Sequence, residues 1–206
     1  MAKLKVGVLI SGRGSNLQAL LDACADPAFP AEIALVISNV ADAAGLQRAG
    51  AAGLATSFIN HKDFPDRASF DAKMDGALRE AGVELVCLAG FMRLLSTGFV
   101  ERWRGKMINI HPSLLPAFKG LHTHAQALAA GVKQHGCTVH WVTPDLDDGP
   151  AILQGTVPVL EGDTEETLAE RVLAVEHRLY PEALRIIAEG KASGSLVETD
   201  PSLRSG

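Results

Sequence analysis

The chain has 206 residues, 47% of them apolar and 21% charged, with a formal net charge of -5 and a pI of about 5.8. This suits one domain with a sizeable buried core, and the acidic balance argues against bulk affinity for nucleic acid. No apolar run approaches the ~20 residues that span a bilayer, Val6-Gly-Val-Leu-Ile10 is too short for a secretory leader, and Cys24, Cys87 and Cys137 are odd in number and widely spaced, as reduced thiols of a cytoplasmic protein are.

Lys5 to Ile10 is a short apolar run ending in Ser11-Gly-Arg-Gly-Ser15, and a helical pattern follows from Asn16 to Ala25. That is strand, tight turn, helix. Glu32 to Ser38 reads as a second strand, Asp42 to Ala52 as a helix and Ala55 to Ile59 as a third strand. Asp66 to Ala81 reads as a helix with Gly82 at its C-terminal cap, and Glu84 to Ala89 as a fourth buried strand. Such alternation predicts a parallel sheet with helices on both faces.

Met107-Ile-Asn-Ile110 reads as a short buried strand that Pro112 cannot extend. Residues 112–122, rich in Pro, Gly and Leu, read as an ordered loop, followed by a short helix from Thr123 to Ala130. Thr138 to Val142 alternates as a strand does, and Gln154 to Val159 reads as an antiparallel strand at the far edge. Asp163-Thr-Glu-Glu166 has capping-box spacing, and Leu168, Val172, Val175 and Leu179 share one face of the helix it starts. Pro181 should kink or restart that helix. The expected fold is therefore α/β: a single domain over residues 1–190, with a mostly parallel, Rossmann-like N-terminal half, an antiparallel edge in the C-terminal half, and a polar, loosely ordered tail over 191–206.

Three segments carry chemistry. Gly12, Gly14, Ser15 and Asn16 follow a strand and open a helix, where backbone N–H groups favour an anion and glycine permits close approach. Leu17 stands where a dinucleotide fingerprint has its third glycine, the second strand ends in Ser38-Asn39 without an acidic residue, and no Walker lysine is present. A phosphate monoester fits better than NAD or ATP. The bland alternative is a plain turn and helix cap.

The second segment is Asn109 and His111, two residues apart on one strand and so on one face. Held side by side at a strand end, an amide and an imidazole are donors suited to a developing oxyanion. The third is the turn holding Asp145, Asp147 and Asp148 before Gly149-Pro150. Alone it reads as a solvated loop; beside the Asn-x-His strand, one carboxylate is expected to orient His111. Five histidines, His111, His122, His124, His135 and His140, raise the question of zinc, but no ligand spacing supports it. They read instead as a polar wall near His111, or as ordinary surface and core imidazoles. Arg93, just past a strand end, lies where α/β proteins form their ligand crevice, whereas Glu176 alone would read as a solvated helix position.

Ile10-Ser-Gly-Arg-Gly-Ser-Asn-Leu17, Leu88-Ala-Gly-Phe-Met-Arg-Leu-Leu95, Asn109-Ile-His-Pro-Ser-Leu-Leu-Pro116, Gly120-Leu-His-Thr-His124 and Leu146-Asp-Asp-Gly-Pro150 together resemble the glycinamide ribonucleotide formyltransferases of purine biosynthesis. The resemblance implies transfer of a formyl group from 10-formyltetrahydrofolate, a co-substrate, to the amine of glycinamide ribonucleotide, without a metal. It implies Asn109, His111 and Asp147 as the catalytic trio and Gly12, Gly14, Ser15 and Asn16 as the phosphate site. Met92 and Glu176 would meet the glycinamide and ribose. Arg67, Met92, Arg93, Leu94, Leu95, Asn109 and Val142 would line the folate site. Asp148 replaces a glycine of some relatives, and the Asp-x-Gly-Pro register favours Asp147 as the acting carboxylate. The implied partners are these small molecules only, with no nucleic acid and no membrane, and the protein is expected as a monomer or homodimer in the cytoplasm.

Related readings are another folate-dependent formyltransferase, such as one acting on methionyl-tRNA, or formyltetrahydrofolate hydrolase. The first expects a further RNA-binding domain and the second a regulatory domain ahead of the first strand. A non-enzymatic nucleotide-binding module accounts for the glycine loop but not for the Asn–His–Asp set.

Overall fold

Strand β1 (Leu4–Ile10) is an inner strand of a seven-stranded sheet, and Val6, Val8, Leu9 and Ile10 are all buried. A strand covered on both faces keeps no polar side. The computed structural model describes residues 2–192. After β1 come α1 (Ser15–Cys24), β2 (Ala31–Ser38), α2 (Ala44–Ala51), β3 (Thr56–Phe58), a 3-10 turn (His61–Asp63), α3 (Arg67–Glu80), β4 (Leu85–Leu88) and α4 (Thr97–Arg102). The second half holds β5 (Met107–His111), α5 (Thr123–Ala129), β6 (Gln134–Trp141), β7 (Ala151–Pro158) and α6 (Glu165–Ala192).

The sheet order is β3-β2-β1-β4-β5-β6-β7, parallel through β5 and antiparallel for β6 and β7. The expected mixture of parallel half and antiparallel edge is found. Chain direction across the sheet reverses between β1 and β4, and the crevice of an α/β sheet lies at such a switch point. One face is covered by α1 and α6 through Leu17, Leu20, Leu21, Tyr180 and Leu184. The other is covered by α3 and α4 through Phe70, Met74, Leu78, Phe99 and Val100.

Differences from the sequence reading have physical causes. β6 starts at Gln134 and β7 at Ala151, both earlier than their local patterns suggest, because the two strands pair with each other from Gln134↔Pro158 to His140↔Ala151. Helix α4 was not legible: it has six residues, capped by the Ser96 hydroxyl and held by buried Phe99 and Val100. The α6 cap is Thr164 rather than Asp163. Thr164 and Thr167 exchange backbone N–H and side-chain oxygen at 3.0 and 3.3 Å, while Asp163 pairs with Arg171 at 2.8 Å. Pro181 does not restart the helix, which runs through it. Buried Tyr180, Ala183 and Leu184 on either side anchor both turns, so packing outweighs the local cost of proline. The expected polar tail lies, beyond Ala192, outside the described residues.

Candidate active site

The strand expected to carry the amide and imidazole does so. Along β5, Ile108 and Ile110 join the α1/α6 core while Met107 joins the opposite one, so Asn109 and His111 share the other face. The strand ends at His111, before Pro112. His111 is buried, and each ring nitrogen meets an acceptor. Nε2 donates to the Phe118 carbonyl at 3.0 Å, and Nδ1 lies 3.5 Å from Asp147 Oδ2.

The turn separates the two neighbouring carboxylates, setting Asp147 rather than Asp148 against His111. Asp147 sits in the left-handed region with φ 49°, a conformation that aspartate tolerates better than most residues. Its side chain is 8% exposed and accepts the Gly120 N–H at 2.9 Å. Asp148 is 53% exposed and turns outward to an ion pair with Lys119. Gly149 lets this turn close on β6, since a Cβ there would overlap the Trp141 carbonyl. Phe118, whose carbonyl holds His111, also has a positive φ of 54°. The loop after β5 is ordered, as its composition suggests: Thr138 Oγ1 donates to the Ser113 carbonyl at 2.7 Å and accepts from Leu115 N–H at 3.1 Å.

Three of the other histidines, His124, His135 and His140, lie near this group. His140 on β6 lies opposite Asn109 in register, with Nε2 at 3.2 Å from the Asn109 amide nitrogen and at 3.8 Å from Asp147 Oδ1. Burial is the main reason its pKa falls below the ordinary imidazole value. His135 Nε2 lies 3.2 Å from His124 Nδ1, and its ring meets Phe118 edge-on. Burial and then His124 push the His135 pKa down to about 4. His122 is the left-handed cap residue of α5. Among the described residues, no three His, Cys, Asp or Glu side chains form a group able to hold a metal ion. Cys24, Cys87 and Cys137 are free thiols.

At the end of β1 the glycine loop turns into α1 with Gly14 as a left-handed cap, φ 70°, and no side chain caps the helix. Its first N–H groups are thus left for an external acceptor. The two glycines have different reasons. A Cβ on Gly14 would stand 2.6 Å from the Gly45 Cα, whereas one on Gly12 would meet nothing within 4 Å. Gly14 is a packing glycine, and Gly12 keeps open space. The Asn16 side chain turns to α6, where its Nδ2 donates to Glu176 Oε2 at 2.7 Å. Glu176 is 6% exposed rather than solvated, and burial raises its pKa. Asn16 Oδ1 is buried without a protein partner.

Arg67, Arg93 and Leu94 line one cavity of about 290 Å³ with His61, Phe64, Asp66 and Phe70. Those last four were missed, because they come from a short turn and a helix start that carry no motif. Met92 is exposed, while Leu95 and Val142 pack against the α3/α4 core rather than line the cavity. The segment after β4 is joined to the glycine loop: Ser11 Oγ accepts the Met92 N–H at 2.8 Å and donates to Asn39 Oδ1 at 2.6 Å. Asn39 stands where a dinucleotide fold carries its ribose-binding acid, and here its amide is spent inside the protein.

The fold is shared with known proteins. Residues 4–184 match the family model described as formyl transferase. The chain is 56% identical over 188 residues to the trifunctional purine biosynthetic protein adenosine-3 of Bos taurus, covering 91% of this chain but 19% of that protein. It thus spans about a fifth of the length of that relative. It is 46% identical to phosphoribosylglycinamide formyltransferase of Escherichia coli K12, covering 91% of this chain and 89% of that one. The crystal structure of glycinamide ribonucleotide transformylase 1 from Symbiobacterium toebii superposes with a TM-score of 0.89 at 53% identity, covering 91% and 89% of the two chains. With the matched family model spanning nearly all of the sheet and its helices, the chain belongs to the formyl transferase family.

Proposed function

We propose that the protein transfers a formyl group from 10-formyltetrahydrofolate to the amine of glycinamide ribonucleotide. The observation that carries this reading is the convergence of Asn109, His111 and Asp147 around β5, two strands along the sheet from the β1 end that leads into a glycine loop with uncapped helix N–H groups. The similarity to phosphoribosylglycinamide formyltransferase of Escherichia coli, over most of both chains, supports it.

The chemistry follows from these side chains. The amine nitrogen attacks the formyl carbon, and the C=O electron pair moves to oxygen. Asn109 Nδ2 and an N–H of His111 stabilise that oxyanion; for this, His111 Nε2 exchanges its Phe118 acceptor for the formyl oxygen. Asp147 takes the proton of the attacking amine and returns one to the folate nitrogen as the carbon–nitrogen bond breaks. The phosphate rests on the N–H groups at Gly12–Asn16, and Glu176 meets the glycinamide. The cavity of Arg67 and Arg93 holds the acidic end of the folate, a guanidinium fork being matched to carboxylate. Holding both substrates supplies much of the rate. The reaction takes no metal, its partners are these small molecules, and it runs in the cytoplasm. Within the described residues no helix is long and apolar enough to cross a membrane.

The test is turnover of glycinamide ribonucleotide with 10-formyltetrahydrofolate, followed by release of tetrahydrofolate. No formylated ribonucleotide under saturating substrates sinks the reading. Formate release without an amine acceptor points to a hydrolase instead.

A further inference from the structure

His140 has no part in the transfer as described, yet its buried ring is held at both nitrogens. Nδ1 lies 3.0 Å from the Trp141 carbonyl oxygen. A carbonyl only accepts, so Nδ1 carries the hydrogen, and a neutral ring then presents Nε2 as a lone pair. That lone pair faces the Asn109 side chain at 3.2 Å, across the β5–β6 ladder. Only one amide orientation satisfies it, the one in which Nδ2 donates. Flipping Asn109 would set oxygen against lone pair. The charged or titratable groups near the ring are Asp147, with Oδ1 at 3.8 Å from Nε2, and His111. Neither lies within hydrogen-bond distance of Nε2, and burial keeps the ring neutral.

We infer that His140 is a positioning residue, whose neutral Nδ1–H tautomer locks the Asn109 amide with its nitrogen as the donor offered to the formyl oxygen. The inference rests on the proposed transfer. One hydrogen of Asn109 Nδ2 is taken by His140, and the second is left for the oxyanion. Without the lock the amide is free to turn its oxygen toward the site, where it repels developing negative charge. A lost oxyanion donor costs roughly 10²- to 10³-fold in kcat, so an amide that is misoriented part of the time should cost about tenfold.

Two measurements test this. The first is a double-mutant cycle of His140→Ala and Asn109→Ala, with kcat and both KM values. His140→Ala should lower kcat about tenfold and leave both KM values within about twofold. It should cost nothing further in the Asn109→Ala background, and His140→Gln, whose amide oxygen can accept from Asn109, should recover most of the loss. Additive losses overturn the inference and assign His140 to Asp147 instead. A wild-type protein without turnover removes the proposed transfer and this inference together; turnover with additive losses removes the inference alone. The second measurement is nitrogen NMR of the imidazoles in the wild-type protein, which depends on neither activity nor variant folding. The neutral Nδ1–H tautomer at neutral pH supports the inference; the Nε2–H tautomer or an imidazolium overturns it.

Discussion

The glycine loop and the group of side chains around His111 are built in opposite ways. The glycine loop is contiguous, from Ser11 to Asn16, and offers mainly backbone N–H groups at the start of α1. The proposed catalytic group draws on β5 for Asn109 and His111, on the following loop for the Phe118 carbonyl and Gly120 N–H, on β6 for His140, and on a later turn for Asp147. A site made of backbone is insensitive to most side-chain changes and vulnerable to an added Cβ. A site made of converging side chains depends on each of them and on the loops that bring them together.

This contrast can be broken most sharply at Asp147. Asp147→Asn keeps the shape and the Gly120 contact but loses the charge facing His111, and kcat should fall by roughly 10²-fold or more with the melting temperature little changed. Near wild-type turnover would remove the carboxylate from the mechanism. On the glycine side, the two glycines should separate. Gly12→Val has room in the fold and should raise KM for the ribonucleotide about tenfold or more at unchanged stability, by blocking close approach of the phosphate. Gly14→Val should instead lose about 3 kcal/mol of stability, from its positive φ and its overlap with Gly45. Equal stability of the two variants would contradict this division.

Smaller effects sharpen the comparison. Arg67→Ala should raise KM for the folate about tenfold and leave that for the ribonucleotide alone, since one charge-assisted contact contributes about 1.5 kcal/mol or more. A pH scan should separate the two regions as well. His135 titrates near 6.5 when unfolded and is held down to about 4 in the fold. Unfolding therefore takes up a proton between those values, and this contribution to stability diminishes as pH falls from 6.5 toward 4. Melting curves across that window should show a weaker decline in His135→Gln; an identical decline would free His135 of the effect. The smallest change is expected for Asp148→Asn, within about twofold in kcat, because an exposed pair with Lys119 contributes little. A large loss there would move the catalytic role one residue along.

What the sequence by itself determined is local. Apolar runs bounded by glycine and proline located all seven strands, to within a few residues at their ends. The Ser-Gly-Arg-Gly-Ser turn marked a helix start, and Asn109 and His111 were placed on one face because strand side chains alternate with period two. Only the tertiary structure decided the rest. Asn109 faces His140 because of the β5–β6 register, which no local pattern contains, so His140 had no role until its partner was known. Asp147 rather than Asp148 faces His111 because one residue adopts a left-handed turn closed by Gly149 against β6. Glu176 is buried because α6 lies against the start of α1, where Asn16 meets it. Periodicity and turn chemistry act between residues near in sequence; register, loop docking and burial are set by packing between segments far apart, and that packing assembles the site.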